Sequence, residues 1–249
     1  MKKILMFVNV DWFFLSHREI IAKESVNRKF SMHVFTGFTR EHNINPEIDG
    51  YKLLKSPIYR SSKSIFSVIR EVIKTHKLIK CEHPDLIHAV TIKPILILGL
   101  ISRLNGIPFV GAISGLGPVF SQTSLLKKMR FKIVSLLYKL IFSPDYSVAI
   151  CQSEHDREVL ISSRIIDKSK VYLVNGSGVD LSKFSPIRSS DEKQYVFMAS
   201  RILKEKGVKE FCEASNLMKT HYKTDLEFKL AGPLDKDSPF GLSAQELDQ

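Results

Sequence analysis

From its first residues onward the chain alternates short, β-branched apolar runs with longer segments of helical period, and this alternation constrains the fold more than any other property. Strand-like runs fall at Ile4–Val10, Met32–Thr36, Leu86–Val90, Phe109–Ile113, Ser147–Cys151 and Val171–Val174, with helices expected near 17–29, 62–80, 94–105, 122–142 and 153–163. Several runs are apolar at every position, the pattern of a strand buried on both faces. Together these features predict an α/β domain of Rossmann type, a parallel sheet with helices on both sides. The polar, proline-bearing stretch over 184–195 reads as a linker. Beyond it, a strand at Tyr195–Ala199, a helix over 207–220 and a strand at Leu226–Ala231 open a second unit of the same kind. The expected organisation is one domain over 1–188 and another over 189–249. Two strands are too few to bury a sound core, so the second domain is read as incomplete, with Ser243–Gln249 starting a further helix.

The apolar run after Met1 stops at Asn9 and Asp11 with no small-residue cleavage site, so it reads as a strand and not as a secretion signal. The stretch from Pro94 to Ile101 is too short to span a bilayer. Cys81, Cys151 and Cys212 are far apart and odd in number, which suits a reducing cytosol better than a disulfide framework or a zinc site. No cluster has metal-ligand spacing, so no metal cofactor is expected, and Gly176-Ser177-Gly178 is not a nucleophile elbow. The formal charge of +11 sits in the first 190 residues, which hold 28 Lys/Arg against 15 Asp/Glu; residues 191–249 hold nine against eleven. An excess of this size calls for an anionic partner.

Two stretches carry much of it. Lys127, Lys128, Arg130, Lys132 and Lys139 lie among Leu125, Leu126, Phe131, Ile133, Leu136 and Leu137 with no acid between, and Arg60 to Lys80 has six cations against Glu71 alone. Apolar residues and cations at helical spacing are the chemistry of a helix lying on an anionic membrane. A helix packed on the sheet with a solvated basic face would read the same way. Nucleic acid is not expected, because neither a recognition-helix motif nor an aromatic-basic strand set is present.

Other residues are placed for chemistry by the strand–helix pattern. Ala199-Ser200-Arg201-Ile202-Leu203-Lys204-Glu205-Lys206-Gly207 runs from a strand end to a glycine opening a helix. Ligands of doubly wound folds collect there, and Arg201 and Lys206 near a helix N-terminus suit a diphosphate. A solvated basic loop would have the same composition. His17 and Arg18 begin a helix after the first strand, where they either meet a phosphate or lie on plain surface. Lys93, before Pro94 at a helix start, faces the same crevice. His88 ends a strand on the cleft side, where a hydrogen-bonded structural histidine is equally at home.

Ser200-Arg201-Ile202-Leu203 with Lys206-Gly207 resembles the diphosphate-binding segment of glycosyltransferase family 4, a retaining family with the GT-B fold. Pro84-Asp85-Leu86-Ile87-His88, Ile113-Ser114-Gly115-Leu116-Gly117, and Asn175 to Asp180 with Phe184 and Pro186 resemble other segments of that family in its order. Asn9 to Arg18 is similar to the first loop of members that build surface polysaccharides. The resemblance implies transfer of a hexosyl or N-acetylhexosaminyl group from a nucleotide-diphosphate sugar, with Arg201, Lys206 and Gly207 at the donor diphosphate. It also implies a polyprenyl-diphosphate-linked or oligosaccharide acceptor near Asp11, His17, Arg18, His88, Lys93, Ser114 and Gly115, on the cytoplasmic face of the cell membrane. Three departures stand out. Asp11-Trp12-Phe13 replaces a glycine-rich loop, Ser114 holds the place of a histidine, and the family's Glu-x7-Glu pair is expected beyond Gln249. Glu205 and Glu213 have that spacing too early in the domain, so the 249-residue chain is expected to be inactive alone. The rival enzyme reading is a nucleotide-sugar epimerase of the same fold, for which Asp11 and Asp85 are poor candidate carboxylates; the rival from another class is a non-catalytic nucleotide- or lipid-binding protein.

Overall fold

The computed structural model describes residues 1–39, 50–59, 64–116, 125–182, 184–185, 194–223, 226–234 and 241–242, without the side chains of Leu126 and Lys127. Most of the expected linker, Gly117, Pro186 and the expected C-terminal helix lie outside these residues. The chain divides into two compact units, Met1–Phe184 and Ser185–Gln249.

The first unit is built on seven strands: β1 (Lys3–Val8), β2 (Ser31–Thr36), β3 (Lys52–Lys55), β4 (Leu86–Val90), β5 (Phe109–Ile113), β6 (Ser147–Cys151) and β7 (Val171–Leu173). They form one sheet in the order β3-β2-β1-β4-β5-β6-β7, every pair parallel. The unbroken apolar strands are explained by two cores, one on each face. Leu5 and Phe7 of β1 enter the first with Ile87, Ala89 and Phe109, while Ile4, Met6 and Val8 enter the second with Met32 and Val34. Since side chains alternate across a strand, apolar residues at every position are what a sheet covered on both sides requires.

Helices α3 (Ile65–Glu82), α4 (Ile92–Asn105), α5 (Leu125–Phe142) and α6 (Glu154–Ser162) cover the first core; α1 (Asp11–His17) and α2 (Glu19–Asn27) cover the second. The middle helix α4 is buried along most of its length, which accounts for its all-round apolar sequence. Its Gly99 admits α5 at close range: a Cβ there would lie 2.5 Å from Ile141 Cγ2.

Two elements differ from expectation. The segment after β1 is helical from Asp11 onward and not a loop, so two short helices stand where one was expected. β3 was not anticipated because it is four residues long and begins and ends with lysine. Those lysines suit its place at the sheet edge, where charge discourages pairing with another chain.

The second unit contains β8 (Tyr195–Ala199) and β9 (Glu227–Ala231), paired in parallel, and α7 (Val208–Thr220). Its buried apolar side chains among the described residues are Ile202, Leu203 and Val208.

Candidate functional site

In the first unit the chain reverses its direction of travel across the sheet between β1 and β4, and ligands of open α/β sheets bind at the carboxyl ends of strands flanking such a point. Here Asn9 Nδ2 donates to Thr91 Oγ1 at 2.6 Å, tying the two strand ends together. Thr91 has φ +75°, a conformation costly for a β-branched residue. Ser114 and Gly115, at the end of β5, are exposed.

Two of the expected cleft residues are engaged within the fold. The buried Asp11 carboxylate accepts from Thr39 Oγ1 at 2.7 Å, Thr39 N at 3.0 Å and Trp12 N at 2.8 Å. It fixes the start of α1 to the loop after β2. Lys93 Nζ pairs with the buried Glu71 at 2.8 Å and donates to Tyr59 O at 2.6 Å, holding α4 to α3 and to the segment after β3. Asp85 lies at the opposite end of the sheet, where it accepts from Lys3 N at 2.7 Å.

Arg18, at the junction of α1 and α2, is buried. Its Nη1 donates to Ser177 Oγ at 3.0 Å and His17 O at 3.3 Å. The Gln152 amide satisfies its neighbours with its oxygen turned to the guanidinium, accepting from Nη2 at 3.1 Å and from Ser177 Oγ at 3.1 Å. Gly176 and Gly178, at φ +70° and +68°, make the tight turn that presents Ser177. The guanidinium lies 5.6 Å from the Phe13 ring centroid, and the exposed His17 ring stacks on Phe13 at 4.6 Å. The sequence singled out His17 and Arg18 as site residues, whereas Phe13 and Ser177 figured only as members of the first-loop and Gly-Ser-Gly segments and Gln152 not at all.

His88 lies within β4, two residues before its end, on the face covered by α1 and α2. Burial, and then the nearby Arg18 guanidinium, pull its imidazole down from 6.5 to about 4. The unfolded chain therefore takes up a proton at His88 below about 6.5, whereas the folded chain resists until about 4. Stability must fall with pH across that window, by up to about 3 kcal/mol from this group. A His88→Gln variant is expected to lose correspondingly less stability between neutral and acid pH in urea titrations. Parallel curves for the two proteins would remove the assignment.

α5 presents two chemically different faces. Ser135, Tyr138, Ile141 and Phe142 are buried against the sheet, with Phe131, Val134 and Leu137 half-buried beside them. Leu125, Met129, Ile133, Leu136 and Leu140 form an exposed stripe at spacings of four, four, three and four. At 100° per residue, Lys128, Lys132 and Lys139 border one side of the stripe and Arg130 the other, all exposed. Phe131 and Leu137 are thus not part of the outward set, and Met129 and Leu140 are; the side chains of Leu126 and Lys127 are not among those described. On the same face of the sheet, α3 exposes Ile65, Phe66, Ile69 and Ile73 beside Arg70, Lys74 and Lys77.

In the second unit, Arg201 lies in the loop leaving β8, and Lys206 closes a 3-10 turn before α7. Gly207 at φ +77° turns the chain into the helix, its carbonyl accepting from Phe211 N at 2.9 Å. The loop packs closely on the end of β9: Ser200 N donates to Ala231 O at 3.1 Å, and Gly232 faces the Ser200 carbonyl with no space for a side chain. Glu205 and Glu213 are both exposed.

Comparison with known proteins decides the family. The family model described as glycosyl transferase 4-like matches residues 3–153. The chain belongs to that family. Among curated relatives of this glycosyl transferase 4-like chain is the Escherichia coli UDP-Gal:alpha-D-GlcNAc-diphosphoundecaprenol alpha-1,3-galactosyltransferase, 27% identical over 61% of the chain and 41% of the relative. Another is the Campylobacter jejuni N,N'-diacetylbacillosaminyl-diphospho-undecaprenol alpha-1,3-N-acetylgalactosaminyltransferase, 26% identical over 68% of the chain and 48% of the relative. The chain thus aligns with less than half the length of either relative. Among solved structures, sucrose-phosphate synthase from Thermosynechococcus elongatus superposes with TM-score 0.67 at 14% identity, covering 100% of the chain and 66% of that structure. A glycosyltransferase from Rickettsia africae gives 0.60 at 14% identity, with 95% and 69% coverage. A UDP-N-acetylglucosamine 2-epimerase from Listeria monocytogenes gives 0.62 at 11% identity, with 100% and 65% coverage. These likenesses establish the GT-B-type α/β fold and no more.

Proposed function

We propose that the chain forms part of an enzyme that transfers a hexosyl or N-acetylhexosaminyl group, with retention of configuration, from a nucleotide-diphosphate sugar to a polyprenyl-diphosphate-linked glycan. The setting is the cytoplasmic membrane face, in assembly of a surface polysaccharide such as O-antigen or capsule. The observation that carries this reading is the exposed apolar stripe of α5 with its cationic borders, a face suited to anionic lipid. No helix among the described residues is long and apolar enough to cross a membrane, so the contact proposed is peripheral. The curated relatives named above act on diphosphoundecaprenol-linked sugars. In this reading Arg201 and Lys206 neutralise the donor diphosphate, a task that cationic side chains perform by stabilising charge as it develops on the leaving group. The acceptor belongs to the carboxyl ends of β1, β4 and β5, near Ser114 and Gly115. The epimerase alternative gains nothing from Asp11 or Asp85, since both carboxylates serve the fold.

Vesicles of matched negative charge, with and without a lipid-diphosphate-linked N-acetylhexosamine, test the reading by co-sedimentation. The glycolipid vesicles are expected to bind more tightly. Equal binding to both would remove the lipid-linked acceptor.

A further inference from the structure

Arg18 is 95% buried, yet among the described residues its charge meets none of opposite sign. All acceptors of its hydrogen bonds are neutral: the His17 carbonyl, the Ser177 hydroxyl and the Gln152 amide. No carboxylate pairs with it among the described residues, and its Nε is buried without a partner. Burial alone lowers its pKa. A buried charge without a counter-charge is a standing cost to the fold. Arginine is also the side chain whose fork matches phosphate oxygens.

Beside Arg18 lies a groove of about 380 Å³ between the α1–α2 corner and residues 177–180 with Phe184. That volume falls within the usual range of small-molecule sites. Its walls are apolar and open: Ile20 is 55% exposed, Val179 68% and Phe184 67%, with Leu15 beside them. Two carboxylates line the groove, and both are engaged: Glu19 with Lys23 at 3.2 Å and the Tyr51 hydroxyl at 3.0 Å, and Asp180 as acceptor from Ser182 N at 3.0 Å and Ser182 Oγ at 2.6 Å. The usual arrangement is thus inverted, with the cation inside and large apolar side chains in water. An amphiphile with an anionic head and a hydrocarbon tail satisfies both at once.

We propose that this groove holds the lipid-proximal part of the acceptor, with Arg18 as counter-charge to the diphosphate and Ile20, Val179 and Phe184 against the first isoprene units. The inference rests on the lipid-linked acceptor reading and adds to it a location.

Calorimetric titration of the 249-residue chain with farnesyl diphosphate, inorganic pyrophosphate and UDP tests it. Farnesyl diphosphate is expected to bind most tightly. Arg18→Met should weaken it by about tenfold or more, as removal of a charge-assisted hydrogen bond does. Ile20→Ser, at an exposed position, should weaken farnesyl diphosphate and leave pyrophosphate unchanged. Arg18→Met should also unfold at no lower temperature than the parent without ligand, whereas an arginine kept for structure alone would lower it. Unchanged farnesyl diphosphate affinity in Arg18→Met or Ile20→Ser overturns the proposal, as does equal affinity for pyrophosphate or a preference for UDP. Glycolipid-vesicle binding that survives intact in Arg18→Met would sink this subsite and leave the lipid-linked acceptor standing.

Discussion

Replacing Arg201 or Lys206 by alanine is expected to lower affinity for a nucleoside-diphosphate sugar by roughly ten- to a hundredfold, about 1.5–3 kcal/mol for each charge-assisted hydrogen bond removed. The physical ground is the loop that carries them. Arg201 leaves the carboxyl end of β8, Lys206 ends the 3-10 turn, and Gly207 turns the chain so that α7 begins directly after both charges. Two cations and a helix N-terminus then act on one anionic group. Glu205→Gln and Glu213→Gln serve as controls, because both acids are exposed and are expected to leave affinity unchanged. Calorimetry with a nucleotide sugar measures all four variants. Unmoved affinity in both cation variants would withdraw the diphosphate assignment.

A second large effect is expected on α5. The double change Ile133→Asp with Leu136→Asp should abolish binding to anionic vesicles at high and at low salt. Both side chains are exposed, Leu136 at 68%, so the loss cannot be charged to the core. Burying each would contribute about 1.5–3 kcal/mol if fully removed from water. Neutralising Lys128, Lys132 and Lys139 to glutamine should instead remove about 1 kcal/mol per charge, and only where salt does not already screen it. Co-sedimentation across a salt series separates the two contributions. Wild-type binding that salt abolishes completely would mean that the stripe does not enter lipid, and no binding at low salt would remove the membrane contact altogether.

The sheet was legible because a doubly covered parallel sheet forces apolar residues onto both faces, and six of its seven strands announce themselves by short, mainly apolar runs rich in β-branched residues. β3 did not, since an edge strand of four residues bounded by lysines has too little periodic signal. The start of α1 was missed for a related reason: Asp11, Trp12 and Phe13 follow a strand without a glycine or a capping serine, and what holds the helix start is Thr39 from a distant loop. Lys93 shows the same limit. Its position at a helix start was readable, but its pairing with Glu71, 22 positions earlier, exists only once α3 and α4 pack. Arg18 was readable as a cation near a strand end. Its lack of a counter-charge is a property of Gln152 and Ser177 arriving from the far side of the sheet, which no local pattern encodes.

The two-stranded sheet of the second unit has a consequence for the molecule in company. In β8, Tyr195, Val196 and Phe197 are exposed together, in a strand with β9 as its one partner among the described residues. A short, exposed strand of aromatic and β-branched residues is a template for pairing with its own copies. Crowding many chains together therefore acts on this end of the molecule first, while the seven-stranded sheet, whose first and last strands are only four and three residues long, offers little for another chain to grip.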